Sequence, residues 1–220
     1  MRLLIFVLFL TPTCLAHVHL DSLKVASLFD SLLRQPEQEA TINKALENYR
    51  TKCKKGDEKL GRIYYCHFGK YLIQSAQLDS VLAISEKGLI LAKNDPTGKW
   101  KVKFLNLQGS YYSLKRDYRR AIESFKRSLK ICESTGDPIQ AAYINNNIAN
   151  LFFSLLDYKQ AHTYSEKVYQ TIKNYGDDPY YSSILAVHSV AEAKLGHLDS
   201  ARNAVTPYYF ADDVTISVNC

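Results

Sequence analysis

A column of small residues that returns every 40 positions constrains this chain more than any other feature. Gly69, Gly109, Ala149 and Ser189 occupy it without a gap. A second small column, Val81, Ala121, Ala161 and Ala201, follows 12 residues after the first. Just ahead of it lies a bulky apolar column, Leu78, Tyr118, Tyr158 and Leu198. Two looser columns read Phe68, Gln108, Ile148, His188 and Leu72, Tyr112, Phe152, Glu192. Self-similarity at a fixed period of this length marks stacked supersecondary units, each too small to bury its apolar face alone.

The unit is a helical hairpin. Ala121, Ile122, Phe125, Leu129 and Cys132 recur at steps that alternate around three and four, which places them on one face of a helix. Small residues in the first helix let a second helix approach, and the bulky column fills the space beside the crossing. Lys115-Arg116-Asp117 and Gly196-His197 are short polar turns. Asp117 and Asp157 stand where N-caps are needed, directly before Tyr118 and Tyr158. Gly136-Asp137-Pro138 and Gly176-Asp177-Asp178-Pro179 close one helix with Gly and open the next with Pro. Asn94-Asp95-Pro96 is expected to do the same, with Asn in place of Gly.

With these residues in view the chain resembles the tetratricopeptide repeat family. That pattern has a small residue and then an aromatic in the first helix, and Ala and then an aromatic in the second. Leu105, Gly109, Tyr112, Ala121 and Phe125 match it, as do Asn145, Ala149, Phe152 and Ala161. The resemblance covers residues 60–206 and implies an all-α solenoid of helix-turn-helix repeats in a right-handed superhelix. The 40-residue period resembles the long-repeat subclass, which includes cell-polarity adaptors and bacterial peptide-sensing regulators, and exported repeat proteins of Bacteroidetes-like bacteria. Glu192, in an apolar column, makes the last repeat a poor match.

Four segments result: a signal peptide over 1–16, a degenerate N-terminal capping hairpin over 17–58, four repeats over 59–206 and an irregular tail over 207–220. Met1-Arg2 and the apolar run Leu3 to Leu10 read as an export signal, with Thr11-Pro12-Thr13 breaking the run and a cut after Ala16. The run is too short for a stable membrane anchor, and no later stretch spans, so the mature chain is expected to be soluble and periplasmic or secreted. Lipid anchoring at Cys14 is disfavoured by its poor lipobox. Pro207 is expected to stop the last helix, and Val214 to Val218 reads as a strand without a partner. Of Cys53, Cys66, Cys132 and Cys220, only Cys53 and Cys66 suit a disulfide, and buried free thiols are the simpler reading.

Charge and motifs exclude several functions. The net charge of +6 is dispersed, with no long basic run, so nucleic acid is not an expected partner. No phosphate loop, zinc-protease motif or nucleophile elbow occurs. None of the six histidines pairs with another at metal-ligand spacing on one helix face. The chain therefore reads as a binding protein and not an enzyme, with no cofactor and no metal indicated.

In the family, first helices line a concave groove. The resemblance places Lys70, Lys103, Asn106, Tyr143, Asn146 and Asn150 there, with Cys66 and Ser110 beside them. Asn146 and Asn150 share a face, and Asn106 lies in the Asn146 column. Mid-helix Asn is unfavourable relative to Ala, so three of them need a reason. An amide donates and accepts, which suits the main chain of a bound peptide. The alternative is that these amides bond neighbouring helices and fix hairpin register. The lysines would attract an acidic side chain or a C-terminal carboxylate. The expected partner is a protein or peptide segment, with self-association left open. A second reading makes the chain the sensory portion of a transcriptional regulator or sensor kinase, truncated before its membrane and output domains.

Overall fold

A computed structural model describes residues 12–54, 56–172 and 179–209, and every element among them is helical. The chain divides into two compact units, Met1–Asn94 and Asp95–Cys220. The fold class is the expected one, all-α and built of sequence-adjacent helix pairs.

The first unit holds α1 (Pro12–Arg34), α2 (Glu39–Lys54), α3 (Glu58–Gln74) and α4 (Val81–Leu91). A 3₁₀ turn, Pro36–Gln38, joins α1 to α2. Pro12 opens α1, whereas the sequence suggested only a break there; the first helical position tolerates Pro because its missing N–H has no intrahelical partner. Helix α1 then runs unbroken past Ala16. Phe29 of α1 packs its ring against Tyr64, Phe68 and Tyr71 of α3. Cys53 and Cys66 are free thiols, as is Cys132 in the second unit, while Cys220 lies outside the described residues.

The second unit holds three hairpins. These are α5 (Lys99–Leu114) with α6 (Tyr118–Thr135), α7 (Pro138–Ser154) with α8 (Tyr158–Ile172), and α9 (Pro179–Lys194) with α10 (Leu198–Tyr209). Val102, Ala121, Phe125, Cys132, Ile144, Ile148 and Leu151 form one core across α5, α6 and α7. The buried Ser128 hydroxyl donates to Val102 O at 3.1 Å, tying α6 to α5. The two small columns meet in the last hairpin, where Ser189 Oγ donates to Ala201 O at 2.8 Å.

The interhelix turn repeats with the sequence period. Ala76, Arg116, Leu156 and Gly196 all adopt positive φ, between 58° and 87°. The next residue's N–H reaches back to a carbonyl one turn inside the preceding helix: Gln77 to Leu72, Asp117 to Tyr112, Asp157 to Phe152, His197 to Glu192. This is the bond pattern of a Schellman end, in which a left-handed residue turns the chain and occupies the orphan carbonyls. Only Gly196 meets that backbone demand without a Cβ penalty.

The caps follow the sequence, with exceptions that have local causes. Asp117, Asp137 and Asp157 each accept an N–H three residues on, at 3.0–3.1 Å. Gln77 makes no such bond, and its hairpin begins with a 3₁₀ turn, Leu78–Ser80, so α4 starts at Val81 and not on the bulky column. Pro96 does not open α5. The Asp95 carboxylate takes Thr97 N–H, the Thr97 hydroxyl and Trp100 N–H, which closes a loop before the helix, and left-handed Gly98 precedes Lys99. Helix α10 passes Pro207 and reaches Tyr209, because a Pro in the last turn removes one amide bond without ending the helix behind it. The expected strand at Val214 to Val218 and the turn at Gly176 lie outside the described residues.

Candidate functional site

The first helices α5 and α7 pack against each other. Helix α5 contributes Lys103, Asn106 and Ser110, and α7 contributes Tyr143, Asn146 and Asn150. A hydrogen bond joins the helices: Asn147 Nδ2 donates to Asn106 Oδ1 at 2.7 Å. Asn106 therefore does structural work, as the register alternative requires. Its partner Asn147 was not among the residues singled out by sequence.

Asn146 and Asn150 differ from Asn106. Asn150 is exposed, and its Nδ2 donates within its own helix to Asn146 O at 3.0 Å. Asn146 Oδ1 is buried with no hydrogen-bond partner among the described residues, and so is Asn145 Oδ1 one position earlier. An unmet buried carbonyl costs about 1–3 kcal/mol, so two in succession on one helix are a notable expense. Lys103 holds its ammonium 4.8 Å from the Trp100 ring centroid, a cation–π contact. Tyr143 is half-buried and packs on the cluster of Ala142, Val168, Ile172 and Leu185. Lys70 is exposed on α3, in the first unit.

A second polar constellation lies between α8 and α9. His162 and Glu166 are four apart on α8, and His188 and Glu192 are four apart on α9. His162 Nε2 is 2.8 Å from Glu192 Oε1. His188 Nε2 lies 3.4 Å from Glu166 Oε2 and 3.8 Å from Glu192 Oε1. His197 Nδ1 reaches Glu192 Oε2 at 2.7 Å. His188 and Glu192 are buried. Burial pushes the His188 imidazole below its ordinary pKa against the opposing pull of Glu166 and Glu192. Burial acts to raise the Glu192 carboxyl, but hydrogen bonds from His162, His197 and Ser200 outweigh it and hold the group below the usual carboxylate range.

No single helix face carries two of these histidines, since His162 is on α8 and His188 on α9, so the cluster forms only when the helices pack. The signal was present: His-x-x-x-Glu occurs at 162 and again at 188, and the second copy contains the Glu192 that spoils an apolar column.

No family profile matches the chain. It is similar to outer dynein arm-docking complex subunit 4 of Mus musculus, at 24% identity over 199 residues, covering 88% of this chain and 31% of that protein. The Bos taurus protein of the same name is 22% identical over 184 residues, covering 84% of this chain and 26% of its own length. The chain thus spans about a third or less of the curated relatives it matches. Among solved structures, a Signal Transduction ATPase with Numerous Domains protein with a tetratricopeptide repeat sensor, from Pyrococcus horikoshii, superposes with TM-score 0.70 at 18% identity, covering 88% of this chain and 31% of that one. BtubC (BKLC) from P. vanneervenii gives TM-score 0.60 at 14% identity, covering 92% and 95%. These likenesses establish the helical-repeat fold.

Proposed function

We propose that this chain is a protein-binding scaffold that holds an extended peptide segment along the first helices α5 and α7. The observation that carries the reading is the pair Asn146 and Asn150. One presents a buried amide oxygen with no donor among the described residues, and the other an exposed amide on the same face. A peptide main chain supplies a carbonyl for the exposed Asn150 amide, and an N–H for the Asn146 oxygen once that half-buried side chain turns its amide toward the face. Tyr143 adds a half-buried ring beside them, and Lys103 adds positive charge for an acidic partner. The name of the curated relatives, a docking complex subunit, is consistent with this role.

Two finer readings belong to the same proposal. The apolar run Leu3 to Leu10 after Met1-Arg2 supports export, with a mature start near His17, as in the exported long-repeat proteins of Bacteroidetes-like bacteria. The likeness to a protein with a tetratricopeptide repeat sensor supports a sensory role within a longer regulator. No helix among the described residues is long and apolar enough to cross a membrane.

The test is a displayed peptide library selected on the full-length protein and counter-selected on Asn150→Arg, which blocks the exposed end of the face. The scaffold reading expects peptides that bind the parent and are rejected by the variant, with acidic residues enriched. Peptides that bind both proteins equally would place recognition elsewhere.

A further inference from the structure

We propose that His162, Glu166, His188 and Glu192 form a binding site for a divalent first-row transition-metal ion, for which zinc is the reference. These residues lie on α8 and α9, apart from the peptide face on α5 and α7.

Each helix presents one imidazole and one carboxylate four residues apart, hence on one face, and the two faces meet. One ligand atom from each residue lies within 4.8 Å of all the others. A tetrahedral ion with ligands at about 2.0–2.1 Å sets them about 3.3–3.5 Å apart. The His188–Glu166 distance of 3.4 Å already meets that value, and His188–Glu192 at 3.8 Å needs only a small contraction. The 2.8 Å His162–Glu192 contact is a hydrogen bond, which opens when Nε2 gives its proton up and turns its lone pair to the ion.

The supporting bonds around these atoms are those a metal site requires. Gln170 Nε2 donates to Glu166 Oε1 at 2.6 Å and leaves Oε2 facing His188. His197 holds Glu192 Oε2 and leaves Oε1 for the cluster. Ser165 Oγ lies 3.1 Å from His162 O and 3.2 Å from His188 Nδ1, so when it donates to the carbonyl it accepts from Nδ1. With the hydroxyl in that orientation, His188 carries its hydrogen on Nδ1 and Nε2 is free to ligate an ion. Nε2 faces two carboxylate oxygens inside the protein. A cation between these atoms takes the Nε2 lone pair and both carboxylate oxygens as ligands, which satisfies all three in a buried setting. Tyr169 stacks on His188 with centroids 5.0 Å apart and steadies the ring.

The repeat shows what has been given up for this arrangement. Columns that hold Phe68, Gln108 and Ile148, and Leu72, Tyr112 and Phe152, carry His188 and Glu192 here. His162 stands where Ile122 does, and Ser165 stands where the buried Phe125 does, which makes room for the imidazole. A cleft of about 680 Å³, lined also by Tyr169, Ser200 and Asn203, gives an ion an entry path. Two carboxylates neutralise the ion's charge. Two imidazoles with two carboxylates suit zinc, cobalt, nickel or ferrous iron over calcium and magnesium, which prefer all-oxygen shells.

The test is a competition titration of the full-length protein with Zn²⁺ against a chromophoric chelator, repeated on Glu166→Gln, His162→Gln and a His17→Ala/His19→Ala control. One zinc per chain is expected, with affinity at least about tenfold weaker in each of the first two variants and unchanged in the control. No zinc bound at millimolar concentration, unchanged affinity in both cluster variants, or loss confined to the control would overturn the proposal. Should the cluster variants fail to fold, X-ray absorption on the zinc-loaded parent decides: two imidazoles in the shell support the site, and a shell with fewer contradicts it.

Discussion

Gly109 and the ring of Phe125 are in such close contact that a methyl group on Gly109 would overlap the ring. Phe125 is among the largest fully buried side chains, so it has little room to give way. In the next repeat the pair becomes Ala149 and Ser165: the first residue gains a Cβ and the second loses its ring. Gly109→Ala should therefore lower unfolding stability by about 1–3 kcal/mol through overpacking. Chemical denaturation followed by circular dichroism checks this, and a change below about 0.5 kcal/mol would mean that Phe125 relocates freely.

Leu156 carries an unfavourable backbone for little return. Its φ is 60° and the residue is 70% exposed, while Gly196 fills the same turn position one repeat later. Leu156→Gly should raise stability by about 1 kcal/mol, because removal of the Cβ penalty outweighs the small loss of burial. A lower melting temperature in the variant would show that Leu156 is held by contacts stronger than its exposure implies.

The fold protects its thiols. Burial first, with Asp137 and Glu133 nearby, pushes Cys132 from its ordinary 9.0 to about 11, against a smaller lowering by a backbone hydrogen bond. Burial and Asp57 do the same for Cys53, also to about 11. A thiol raised in the folded state favours folding while it stays protonated. That contribution is complete below about pH 9 and is lost as pH climbs through about 11. At pH 8 both thiols should react with an aromatic disulfide reagent far more slowly in the native protein than in denaturant. The denaturation midpoint should fall across the alkaline window, and by less in Cys132→Ala. Equal native and denatured reaction rates would contradict the account.

The hairpin repeat was legible because its columns are physical necessities. Small residues mark helix crossings, and Asp117 and Asp157 cap the helices where the sequence places them. The starts of α4 and α5 were less legible. Whether Gln77 caps, or whether Asp95 gathers three donors into a loop, depends on side-chain choices that no periodicity encodes. The groove residues were legible as positions but not as partners, since nothing local ties Asn106 to Asn147, 41 residues away. The histidine–glutamate cluster has the same cause. Each half is visible in one helix, and only the packing of α8 on α9 joins them.

The central claim, that Asn146 and Asn150 hold a partner and not the fold, is tested most directly by thermal melts run beside binding titrations on Asn146→Ala, Asn150→Ala and Asn106→Ala. Asn106→Ala breaks the 2.7 Å bond from Asn147 and should cost about 1 kcal/mol of stability. Asn146→Ala removes a buried oxygen with no partner among the described residues and installs a better helix former. Its stability should be unchanged or up to about 0.5 kcal/mol higher. Both α7 variants should nonetheless bind a selected peptide about tenfold more weakly, at roughly 1 kcal/mol or more per lost hydrogen bond. Asn146→Ala and Asn150→Ala proteins that melt well below the parent yet bind with undiminished affinity per folded molecule would contradict it.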